Sequence, residues 1–199
     1  MSANLHTPVK DDVAVDRAAA RGEGTVFQTD IIHSSLVRKL LAFMRILIGW
    51  TFMWPFVDKL FGLGYGTASE AAVVNGGAPA QGYMINATSG PFKEVFVWMA
   101  ETFGGLADFL FMFGLFGIGL AMLTGAGLKI AAWGGTLLMA FMYLAALPIG
   151  QANAGFTNPI TDSHWIEAIV LLVAAYTLSG DTWGLGRWWG EKVGNGWLR

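Results

Sequence analysis

Residues 109–128 read FLFMFGLFGIGLAMLTGAGL and carry no charged side chain; residues 130–161, IAAWGGTLLMAFMYLAALPIGQANAGFTNPIT, carry none either. A hydrocarbon core about 30 Å thick takes about 20 mainly apolar residues as helix. The first stretch therefore supplies most of one span, and the second supplies another span plus a polar loop. Composition agrees: 54% of the 199 residues are hydrophobic and 13% charged, about half the usual charged share. Nine tryptophans suit an interfacial belt better than a soluble core. A net charge of -2 leaves no basic excess for nucleic acid. The chain reads as a multi-pass cell-membrane protein in contact with membrane lipids.

The expected fold class is all-α, a transmembrane four-helix bundle with an ordered outer loop. Residues 1–35 form an N-terminal cytoplasmic tail, 36–185 a four-span membrane domain, and 186–199 a C-terminal interfacial tail. Spans are expected near 38–61, 100–123, 129–148 and 163–181. Pro55 should kink or loosen the first. The first 30 residues lack a signal-peptide core, so the first apolar segment should stay as a span. The loop at 62–90 holds Tyr65, Val73, Val74, Tyr83, Met84 and Ile85, enough apolar surface to fold back over the bundle. Gly66, Gly76, Gly77 and Gly82 should supply its bends, and Gly104, Gly105, Gly114, Gly117 and Gly119 should let helices approach closely. Arg38, Lys39, Lys129, Arg187 and Lys192 fall on one side of such an arrangement, Lys59 and Lys93 on the other. That bias puts both termini in the cytoplasm.

Absent cysteine removes disulfides, iron–sulfur ligation and thiolate metal sites. Three histidines, His6, His33 and His164, offer no paired haem ligation. No haem, iron–sulfur cluster or other metal is expected.

Chemistry then rests on ionisable groups inside apolar segments. Arg45 lies about 10 Å along a helix from Arg38, and a charge at that depth needs an acid, carbonyls, water or a ligand. Asp108 is its expected partner, with Glu101 second. Asp58 and Lys59 end the first span beside Trp50 and Trp54. His164 and Glu167 share a face of the fourth span, where His164 can pass a proton.

The segments GWTFMWPFVDKLFGLGYGT and NGGAPAQGYMINATSGPF, with the tail SHWIEAIVLLVAAYTLSGDTWGLGRWW, resemble the DoxX/DoxD-like family of small four-helix membrane proteins. Some members are described as the small subunit of thiosulfate:quinone oxidoreductase. The resemblance spans residues 38–190. It implies quinone-linked electron transfer, carried onto Arg45, Asp58, Lys59, Glu101 and His164.

Three functional readings follow. One is a quinone-interacting membrane subunit of a redox complex, with Arg45, Asp108, Glu101 and His164 as the chemical groups. Trp50, Trp54, Trp98, Asp58 and Lys59 would form the quinone slot, in a lipid-open cavity reaching Arg45 or Asp108. The second is a non-catalytic accessory or assembly subunit of a respiratory or other membrane complex. The third is a small proton or solute transporter. Each of the first two requires further membrane or peripheral redox subunits.

The topology is directly testable in a cysteine-free chain. Asn75→Cys is expected to react with a membrane-impermeant maleimide from the outer side. Labelling from the cytoplasmic side alone contradicts the orientation.

Overall fold

A computed structural model describes residues 24–150 and 159–199. Residues 1–23 of the expected tail, and 151–158 of the expected second outer loop, lie outside the described residues. The described elements are α-helices joined by turns and short 3-10 segments. We number the helices α1 (Gln28–Ile31), α2 (Ser35–Phe61), α3 (Pro79–Asn86), α4 (Lys93–Thr124), α5 (Leu128–Ala145), α6 (Ser163–Tyr176) and α7 (Gly186–Val193).

Three of these are long and apolar enough to cross a membrane: α2, α4 with its lead-in turn, and α5. The expected fourth, α6, is apolar but has 14 residues. At 1.5 Å per residue it covers about 21 Å.

Local chemistry explains the ends. Ser34 caps α2 by accepting from the Val37 N–H. The helix runs unbroken through Pro55 and stops at Gly62, which is left-handed at φ 66. A side chain there would also stand 2.6 Å from Ser69 Cα, so the stop requires glycine twice over. Helix α4 consists of two helical runs that meet at a kink at Phe103, where the backbone leaves helical geometry (φ -126).

The helices α2, α4, α5 and α6 share one apolar core. Ile48 and Phe52 from α2 meet Leu115, Ile118 and Met122 from α4, Ala132 and Met139 from α5, and Leu171 and Ala174 from α6. Glycine sets the α2–α4 distance. A Cβ on Gly49 would lie 2.9 Å from Leu123 N, and one on Gly119 would lie 2.9 Å from Met53 N. Gly104 is filled against by Gln81, whereas Gly105 and Gly117 face open space and Gly114 makes only ordinary contact. The expected set of packing glycines is therefore narrower, and Gly49 joins it.

The loop after α2 is folded. Helix α3 lies against α4, burying Ala80 and Met84 on Phe96, Ala100 and Ala145. Tyr65, Val74 and Ile85 stay exposed. Of the four expected bend glycines only Gly76 has positive φ, joined by Gly62, Gly64 and Gly90. Gly82 sits inside α3.

Gly119→Leu forces α2 and α4 backbones apart and is expected to cost about 1–3 kcal/mol. Gly117→Ala meets nothing and should raise stability slightly or leave it alone. Thermal unfolding midpoints in detergent compare the two.

Candidate functional site

Arg45 faces inward with no exposed surface, but its partners are not acids. Its guanidinium donates to the carbonyls of Met122 and Leu123 (3.0 Å) in the last turn of α4, and to those of Thr182 (3.4 Å) and Trp183 (3.0 Å). The final carbonyls of a helix lack intrahelical donors and carry the negative end of its dipole. Arg45 satisfies two of them, and the Leu185 N–H takes the Thr124 carbonyl at 2.7 Å. Glycines let the chain close around the charge: a Cβ on Gly184 would lie 3.0 Å from Arg45 Nη2, and one on Gly125 3.2 Å from Nη1. Trp183 is held left-handed at φ 52, a conformation that costs about 1–2 kcal/mol; its carbonyl is one of the four acceptors.

The expected Arg45–Asp108 pair is corrected by this register. Met122, bonded to Arg45, lies about 21 Å along α4 from Asp108. The pair does not form because α4 starts far beyond the end of α2, which leaves Asp108 outside the level of Arg45. Asp108 instead accepts from the N–H groups of Ala80 (2.7 Å) and Gln81 (3.2 Å). These are orphan donors in the first turn of α3. Near it, Gln81 Nε2 donates to the Ala100 carbonyl at 3.1 Å, beside the break at Phe103. Glu101 is exposed and joins neither group.

Asp58 is 3% exposed and holds the turn after α2, accepting from Tyr65 N (3.2 Å) and Gly66 N (2.9 Å). Lys59 is half-buried beside it. Trp50 and Trp54 pair at 6.0 Å between ring centroids, and Trp54 meets Tyr65 edge-on at 5.1 Å. Trp98 pairs with Phe103 instead, so the expected three-tryptophan slot is divided between two surfaces.

His164 is different. Asp162 caps α6 by accepting from the His164 N–H at 3.0 Å, and its second oxygen lies 2.7 Å from His164 Nδ1. The contact fixes the ring through Nδ1 and leaves Nε2 outside that pair. Both side chains are mostly buried, at 22% and 11% exposure. Beside them a cleft of about 40 Å³ runs between α5 and α6, lined by Thr136, Met139, Ala140, Tyr143, His164, Trp165 and Ala168. Its lining includes neither Arg45 nor Asp108, the residues the expected cavity was to reach; a smaller void of about 10 Å³ lies at the Arg45 end between Gly125, Gly180 and Arg199. The Thr136 hydroxyl is buried in the α5–α6 cleft without a hydrogen-bond partner. Tyr143 OH donates to the Pro159 carbonyl at 2.7 Å and stacks edge-on against Trp165.

Sequence reasoning missed Asp162, Tyr143 and Thr136. Asp162 carried a signal, an N-cap residue immediately before an apolar run. It also missed a buried pair at the Arg45 end. Arg199 binds both oxygens of Asp181, at 3.1 and 3.0 Å, and donates to the Val26 carbonyl. Asp181 accepts from Gln28 N at 2.8 Å, and Gln28 is fully buried. Residues 24–31 are thereby fastened to the C-terminal segment. Among the described residues no cluster of three metal-ligating side chains occurs.

No family model matches the chain, and no curated protein or solved structure matches it.

A double-mutant cycle separates the two placements of Arg45. Arg45→Leu strands four carbonyls and should cost several kcal/mol, at about 1–3 kcal/mol per buried unsatisfied group. Arg45→Lys loses the planar fork and should recover only part. With Asp108→Asn the effects should add within about 0.5 kcal/mol. A larger coupling restores the ion pair.

Proposed function

We propose that the chain is the quinone-interacting membrane subunit of a redox complex, and that quinone meets it at the Asp162–His164 dyad. The observation that carries this reading is the 2.7 Å carboxylate–imidazole contact at the mouth of the α5–α6 cleft. Of the expected chemical groups, Arg45 and Asp108 are occupied with backbone and Glu101 is exposed away from both; Asp58 of the expected slot is likewise held by backbone. His164 alone keeps a ring nitrogen available beside an apolar opening.

The cleft fits one edge of a ring. Its volume of about 40 Å³ is well below the several hundred Å³ of an enclosed ligand pocket. Trp165, Ile166 and Ile169 are exposed on α6 and offer the rest of such a molecule an apolar surface in lipid. Reduction of a quinone takes two electrons and two protons. In this reading His164 donates Nε2–H to a quinone oxygen and passes that proton on, Asp162 holds the ring through Nδ1, and Trp165 bounds the slot. With no cysteine in the chain, we assign the electrons to a cofactor on a partner subunit.

In this reading α6 completes a fourth span with the turns that follow it. The basic end, with Arg38, Lys39, Lys129, Arg187 and Lys192, faces the cytoplasm, and His164 faces the outer side. The accessory-subunit reading has one supporting observation: Leu36, Leu40, Phe43, Leu47 and Trp50 recur at four-and-three spacing along α2, all more than half exposed. Such a seam fits a partner helix, and the two readings are compatible. A transporter gains no support, since Ile48, Phe52, Leu115, Ile118 and Met139 fill the space between the two polar ends.

An azido-quinone photolysed with the full chain in vesicles is expected to label peptides covering 136–143 and 164–168. His164→Gln should lower that labelling by up to about tenfold, the value of one lost hydrogen bond. Labelling concentrated at Trp50, Trp54 and Asp58, or unaffected by the substitution, contradicts the assignment.

A further inference from the structure

After the last apolar helix the chain turns back across the ends of α4 and α5. Leu185 N binds the Thr124 carbonyl at 2.7 Å, and Lys129 N binds the Arg199 carbonyl at 3.1 Å. Helix α7 is thereby fixed against the Arg45 end. Its two adjacent tryptophans are treated differently. Trp189 Nε1 donates to the Leu198 carbonyl at 2.6 Å and is half-buried. Trp188 is 53% exposed, with Trp183 at 58% and Trp197 at 57%.

Three large rings so exposed on one segment that has left the apolar helices present apolar area that water does not favour. Full burial in hydrocarbon is equally excluded, because Arg187, Glu191 and Lys192 are exposed on the same short helix. An amphipathic ring with a polar edge is placed best at headgroup depth. Charge sets the headgroup. Among the described residues of this segment, Arg199 is neutralised by Asp181, which leaves Lys192 and Arg187, whose guanidinium also lies 4.4 Å over the Phe27 ring, against Glu191. Among the described residues, Arg38 and Lys39 open α2 at the same end, with Asp30 nearby in α1.

We propose that the surface formed by Trp183, Trp188, Trp197, Arg187 and Lys192 is an interfacial anchor that selects anionic phospholipid in the leaflet at the Arg45 end. The tryptophans enter the headgroup layer and the two basic side chains take the phosphates. Each basic residue held at an anionic surface is worth about a fivefold preference. The anchor fixes the depth of the Arg45 end independently of any chemistry at His164.

The test uses the full chain in phosphatidylcholine vesicles. Trp188→Cys gives a single thiol for an environment-sensitive fluorophore, because the chain has no cysteine. Brominated phosphatidylglycerol or brominated phosphatidylcholine, at equal mole fraction, serves as the quencher. The label is expected to emit at blue-shifted wavelength and to be quenched more strongly by the anionic lipid. Adding Lys192→Gln, a substitution of an exposed side chain, should reduce that preference by up to about fivefold while emission stays blue-shifted. Emission typical of water, equal quenching by the two lipids in the parent variant, or a blue shift that requires an added protein overturns the proposal. Trp197→Cys labelled in the same way guards against a local effect of replacing Trp188 and must give the same ordering.

Discussion

Backbone groups at helix ends have no partners within the helix, and a low-dielectric surrounding makes leaving them bare expensive. This chain has few charged residues, and the buried ones answer that constraint. The largest case is Arg45, whose planar donors gather the end of α4 and the 182–183 turn onto α2. A guanidinium is suited to this because it stays charged and presents several donors in a fixed plane. No carboxylate is needed: the helix end supplies the negative partial charge. From there the order propagates. The turn brings Leu185 to Thr124, the segment returns to place Arg199 on Asp181, and Asp181 holds Gln28.

The same rule accounts for the acids. Asp108 caps α3 from a neighbouring helix, Asp58 closes the turn after α2, and Asp162 caps α6. Only Asp162 has a second oxygen turned to a titratable ring. The molecule thus divides into an end held by arginine and carbonyls, an apolar middle, and an end where a histidine borders an open cleft. That division is why we propose proton handling at His164 and not at the groups whose hydrogen bonds maintain the fold.

The spans α2, α4 and α5 were legible because uninterrupted apolar runs have a length set by the bilayer. The inward direction of Arg45 was legible from the cost of exposing its charge to hydrocarbon. Its partners were not, since helix-end carbonyls belong to every residue type and leave no letter in the sequence. Depth was misjudged for Asp108 because counting inward from an expected span start near residue 100 assumed that this point lies level with the end of α2. The pairing of Asp162 with His164 escaped a search for helical spacing, because a cap lies outside the helix it serves. Gly49 escaped because one glycine amid apolar residues looks like filler until a backbone is found against it.

The clamp at Arg45 is tested most directly by amide hydrogen exchange on Arg45→Gln beside the parent chain. If the guanidinium organises this end, protection should fall at Leu185 and the following turn, and at Gln28, which depends on Asp181. Protection across 131–139 in the core of α5 should be unchanged. Equal exchange at Leu185 and Gln28 in the two proteins would contradict the clamp, as would a uniform loss that reaches 131–139 equally.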